Sequence, residues 1–158
     1  MSMLVAVNGH TPVKPQSPAD LKQFYHEHGY VIVMDALSPA EVDELRQETT
    51  RLCRGELGDI RGVTPATPGE SDDEVLRQYL CIHFPHKLSS VMKRYLAPSS
   101  MVEALTAVIG PNVKCMQSML FIKAAGKPGQ AGHQDEYFIP PRDRSLTGGW
   151  IALDDATV

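Results

Sequence analysis

No stretch of this sequence approaches the roughly 18–20 consecutive apolar residues of a membrane span. The start, MSMLVAVNGHTPVK, lacks an early basic cluster, and its apolar stretch is too short for a secretory signal. A cytoplasmic location is therefore expected. Basic residues do not outnumber acidic ones: 15 Lys and Arg stand against 19 Asp and Glu, a formal net charge of −4. That balance points away from nucleic acid and anionic membranes as partners. Cysteine is scarce and odd in number, with Cys53, Cys81 and Cys115 far apart. Neither a disulfide framework nor a zinc ribbon fits that spacing, so ordinary buried or half-buried thiols are expected. There is no internal repeat and no low-complexity tract.

The 158 residues that remain after these exclusions suffice for one domain with a core. Residues 1–16 read as a flexible leader and 17–158 as a single domain. Ser17-Pro18-Ala19-Asp20 is a helix start: a capping hydroxyl, proline in the first turn, then an acid. Leu21, Phe24, Tyr25 and His28 mark one helical face and Gly29 ends it, with His26 and His28 expected at the surface. "YVIVMDAL" reads as a strand. Ser38-Pro39-Ala40-Glu41 is a capping box opening a helix to about Arg54, with Val42, Leu45, Thr49 and Leu52 as its buried stripe. A Gly-, Pro- and acid-rich loop leads to a helix capped by Ser71 or Asp72 and running to about Leu80. Leu88 to Leu96 suit another helix, and Ser100-Met101-Val102-Glu103 reads as a second capping box opening a helix closed by Gly110-Pro111. Beyond it, "NVKCMQSMLFIKAAG" and "TGGWIALDDATV" have strand texture. Helices followed by strands, without alternation, predict an antiparallel sheet dressed by N-terminal helices rather than a parallel doubly wound sheet.

Between those two strand-like runs lies "AGHQDEYFIPP", residues 131–141. On a strand, residues two apart face the same side. His133 and Asp135 can then offer an imidazole nitrogen and a carboxylate oxygen to one ion. With a distant histidine they would make the facial triad of non-haem Fe(II). A polar turn between two strands is the plain alternative for so short a motif.

The run "QSMLFIKAAGKPGQAGHQDEYFIPPRDRSLTGGWIALDDATV" resembles the phytanoyl-CoA dioxygenase family of Fe(II)- and 2-oxoglutarate-dependent oxygenases. So does "FYHEHGYVIVMDALSPAEVDELRQE" near the start. The resemblance implies a chain that is mainly β with N-terminal helices, part of a double-stranded β-helix (a cupin-like jelly roll). It also implies His133 and Asp135 as iron ligands, and Met119 and Trp150 in the 2-oxoglutarate pocket. Gln117, on the face of Met119, is a weaker candidate there. Read from the residues alone, Met119 in an apolar strand is core, and Trp150 could equally be a core plug with its N–H satisfied. His83 is a minor candidate for the cosubstrate and His86 a lesser one; Tyr137, Arg142 and Arg144 border a substrate mouth or a solvated loop. Asp154-Asp155 is read as structural.

The family's pattern continues past "DDATV" into a distal histidine and an arginine that pairs with 2-oxoglutarate. No histidine follows His133 here. The expectation is therefore a truncated chain with its C-terminal strands missing. It would be an Fe(II)/2-oxoglutarate dioxygenase hydroxylating a small organic molecule, or else a non-catalytic, partial metal-binding domain needing a second polypeptide. A completing polypeptide, or self-association through open sheet edges, is the expected partner. The lack of a basic patch speaks against a CoA ester as substrate.

Overall fold

The computed structural model describes residues 3–4, 17–60, 66–133, 135–141 and 146–154. In chain order these form β1 (Met3–Leu4), α1 (Pro18–His28), β2 (Tyr30–Val31), α2 (Pro39–Cys53), α3 (Asp72–Arg77) and β3 (Cys81–His83). A short 3-10 turn (Pro85–Lys87) then leads to α4 (Ser90–Arg94), α5 (Ser99–Ile109), β4 (Met119–Phe121), α6 (Asp135–Phe138) and β5 (Gly148–Gly149). Two compact units result. The first joins residues 1–38, 98–114 and 131–158; the second joins 39–97 and 115–130.

In the first unit, α1 begins where its sequence says. The Asp20 N–H donates to Ser17 Oγ at 3.2 Å, and Pro18 sits in the first turn. It ends at Gly29, whose φ of 77° is one that a side chain disfavours, with the Gly29 N–H bonded to the Tyr25 carbonyl. α1 packs on α5 through a buried cluster of Tyr25, Val31, Met101, Ala104 and Val108, flanked by Leu21, Phe24, Val33, Leu105 and Ile151. His26 and His28 are exposed, as expected. β1 lies between β2 and β5 and pairs parallel with both.

The second unit buries Leu45, Leu52 and Cys53 of α2, Val75 of α3, Ile82 of β3 and Met92 of α4, together with Tyr79, Tyr95 and Ile122. Ser71 makes the full capping box on α3, its hydroxyl taking the Glu74 N–H while the Glu74 carboxylate takes the Ser71 N–H. α3 stops at Arg77, short of the expected Leu80. Glu48 is buried between α2 and α4, where Ser89 Oγ donates to Oε1 and Arg51 donates to Oε2 at 2.8 Å. β3 and β4 pair antiparallel, with His83 opposite Met119.

The expectation of a mainly β chain, a partial double-stranded β-helix of jelly-roll type, is overturned. Among the described residues the helices run to 15 residues and no strand exceeds three. The reason is physical. A helix satisfies its own backbone, whereas an extended run counts as sheet only where a neighbour takes its hydrogen bonds. Among the described residues, the strand pairing covers only Tyr30–Val31 of "YVIVMDAL", Met119–Phe121 of the run from Asn112, with one further backbone bond on each side at Ser118 and Ile122, and Gly148–Gly149 of "TGGWIALDDATV". The pairing is mixed rather than antiparallel. The second expected capping box is also absent. α5 takes Pro98 as its N-cap, and Ser100 Oγ donates instead to the Ala36 carbonyl at 2.7 Å.

Candidate functional site

His133 lies on a loop and Asp135 is the first residue of α6, so the strand pleat that would align them is absent. The turn from loop into helix brings them together all the same. His133 Nε2 stands 3.1 Å from Asp135 Oδ1. The other ring nitrogen, Nδ1, is 2.8 Å from the Ala131 carbonyl, which can only accept, so Nδ1 carries a proton and donates it. Both side chains reach solvent, at 34% and 56% exposure, so an ion can approach them.

This arrangement suits a proton or a metal. With both ring N–H groups facing oxygen, the imidazolium is favoured. The Ala131 carbonyl, first, and the Asp135 carboxylate, second, raise the His133 pKa above its ordinary value. When a metal takes the proton's place, the bond from Nδ1 to Ala131 holds the tautomer that turns the Nε2 lone pair outward, beside Oδ1. Two donors about 2.1 Å from a common ion, at right angles, are about 3.0 Å apart. The donor set, one imidazole and one carboxylate with that spacing, therefore fits an iron of the facial-triad kind. Among the described residues no group of three or more His, Cys, Asp and Glu side chains is assembled for a metal. The Ala131 carbonyl was not foreseen from the sequence, because a backbone acceptor leaves no residue signature.

The other candidates are placed as follows. Trp150 follows β5 in the same unit and is 46% exposed. Gln117 and Met119 belong to the second unit, where Gln117 Nε2 contacts Met119 Sδ at 3.8 Å, so the two do share a face. His83 is exposed on β3, while His86 sits in the 3-10 turn with Nδ1 2.6 Å from Ser118 Oγ. The two histidines thus do not share a helix, in keeping with Pro85 between them. Tyr137 is 82% exposed on α6, with its ring against Phe138, whose ring in turn contacts His133. Asp154 is exposed. Gln134, Arg142, Arg144 and Asp155 lie outside the described residues.

Residues 25–158 match the sequence model of a family described as phytanoyl-CoA dioxygenase (PhyH). Among curated proteins, the chain is 26% identical over 147 residues to the peroxisomal phytanoyl-CoA dioxygenase of Rattus norvegicus, an alignment covering 84% of this chain and 41% of the rat protein. The Bos taurus protein of the same name is 26% identical over 149 residues, 84% of this chain and 42% of that one. For the Homo sapiens protein the figures are 23% over 145 residues, 84% and 41%. The chain thus spans about two-fifths of the length of these relatives. No solved structure matches it.

Proposed function

The chain belongs to the phytanoyl-CoA dioxygenase family, and from that premise we propose that it acts in an Fe(II)- and 2-oxoglutarate-dependent dioxygenase that hydroxylates a small organic molecule. The observation that carries the reading is the convergence of His133 Nε2 and Asp135 Oδ1 at 3.1 Å. On this reading His133 and Asp135 hold the iron, and the Ala131 carbonyl fixes the imidazole that does so. When bound, the iron would activate dioxygen, the oxidant, while 2-oxoglutarate would serve as co-reductant and leave as succinate and carbon dioxide, so that one oxygen atom could enter an unactivated C–H bond. Trp150 and Met119 are read as walls for the cosubstrate on resemblance alone, and Gln117 only because it shares a face with Met119. The formal charge of −4 favours a substrate without a nucleotide phosphate.

A second reading is a partial metal-binding domain that works with another polypeptide or with a second copy. What favours it is that the described residues assemble two metal donors and not three. Calorimetric titration with Mn(II), a redox-stable surrogate, tests the shared premise. Both His133→Ala and Asp135→Asn are expected to weaken binding by about 100-fold or more, beyond the loss of an outer-shell partner. Binding unchanged by either substitution removes the assignment. Succinate formation from 2-oxoglutarate then separates the readings. Turnover supports the dioxygenase, and metal binding without turnover supports the partial domain.

A further inference from the structure

Trp150 is the only tryptophan in the chain, and the backbone on either side of it is anchored at alternate residues. Thr147 Oγ1 lies 3.0 Å from the hydroxyl of Tyr25, a core residue of α1. Gly149 lies so close to α5 that a Cβ there would stand 2.8 Å from Met101 Sδ and 3.3 Å from its Cε. Ile151 packs against the cluster formed by Tyr25, Val31, Met101, Ala104 and Val108. An extended backbone sends successive side chains to opposite sides. Three anchors at 147, 149 and 151 on the α1–α5 side therefore leave Trp150 facing away from it, where it is 46% exposed.

We propose that Tyr25, Thr147 and Met101 are positioning residues for Trp150: the hydroxyl pair fixes the segment along its length, and the contact of Met101 with Gly149 fixes its distance from α5. Each anchor alone has a structural explanation, since a buried hydroxyl seeks a partner and a methionine fills space. Together they converge on the residue between them. Glycine at 149 is what lets the backbone come this near. Met101 belongs to the buried cluster of Tyr25, Val31, Ala104 and Val108, so a methyl group at 149 would have to displace the far end of its flexible side chain. That the resulting position serves 2-oxoglutarate rests on the reading above; the positioning itself does not.

The test uses the full chain and the fluorescence of Trp150, which reports this one position. Tyr25→Phe and Thr147→Val each remove one hydroxyl with little change of shape. Both are expected to raise acrylamide quenching of Trp150, by up to about twofold, since release of a side chain now 46% exposed cannot much more than double its access. Thr147→Ser keeps the hydroxyl and is expected to quench like the parent. Gly149→Ala is expected to shift the emission, and Met101→Ala in the same chain to reverse that shift. Melting curves check that each variant is folded. Parental quenching in both Tyr25→Phe and Thr147→Val overturns the proposal, as does a Gly149→Ala shift that Met101→Ala fails to reverse. A separate titration with 2-oxoglutarate and Mn(II), read by calorimetry on the parent and on Trp150→Phe, examines the cosubstrate role. Equal affinity there removes that role and leaves the positioning argument to be decided by the quenching alone.

Discussion

Ser89→Ala is expected to destabilise the second unit far more than the loss of one surface hydroxyl would. Ser89 is buried, and its hydroxyl has two jobs. It accepts the Met92 N–H at 3.0 Å as the N-cap of α4, and it donates to Glu48 Oε1 on α2. Loss of a serine cap costs about 1 kcal/mol. The bond to Glu48 is charge-assisted and buried, a class worth about 1.5–3 kcal/mol. Alanine cannot replace it, so Oε1 loses its donor while remaining out of water. The sum is about 3 kcal/mol, a large share of the roughly 5–15 kcal/mol that holds a domain folded. Urea denaturation followed by circular dichroism measures it. The two effects run through one hydroxyl, so Glu48→Gln and Ser89→Ala in one chain should cost less than their separate losses added together. A loss below about 1 kcal/mol would refute the reasoning, because it would leave only the cap. Simple additivity would refute it as well, since it would mean that Glu48 and Ser89 do not share their stabilisation.

Two further outcomes follow from the environment of single groups. The Arg94 hydrogen bond, first, and the Tyr95 hydroxyl, second, hold the Glu44 carboxyl below its ordinary value of 4.5. A lowered folded-state pKa contributes stability that is present above the unfolded value and lost as pH falls through the folded one. The melting temperature of the parent should therefore exceed that of Glu44→Gln at neutral pH, and the gap should close in acid; a gap independent of pH contradicts the assignment. Burial pushes the Cys53 thiol up to about 12, whereas Cys115 is exposed. Iodoacetamide at neutral pH should label Cys115 and spare Cys53 in the native chain, and mass spectrometry of the digest would expose the opposite pattern.

The helices were legible where their ends are written in side chains. Ser17, Pro18 and Gly29 bound α1, and Ser71 with Glu74 opens α3, because those residues supply the hydrogen bonds or the backbone angle that a helix end needs. The same spelling misleads at Ser100-Met101-Val102-Glu103. The Ala36 carbonyl, 64 residues away in sequence, claims the Ser100 hydroxyl, and no local pattern announces a distant acceptor. The strands failed for a related reason. Apolar, β-branched texture states what a segment would do beside a partner, and the partner is a tertiary fact. Hence "YVIVMDAL" pairs over two residues of the eight that look alike.

The candidate site divides along the same line. That His133 and Asp135 could meet was readable only on the premise of a strand, where residues two apart share a side. How they meet was not. The strand argument needs a pleat to bring both side chains to one side, and the chain instead turns from a loop into α6 at Asp135. The two routes converge on one chemical result, since a metal responds to donor atoms and their separation rather than to the backbone that delivers them. What the strand argument could not supply is the bond from His133 Nδ1 to the Ala131 carbonyl. That bond needs the loop to bend back by two residues, which an extended strand does not do. It also selects which ring nitrogen faces Asp135. The departure from strand geometry is thus the feature that orients the imidazole, and α6, whose first residue is Asp135, holds the carboxylate against it.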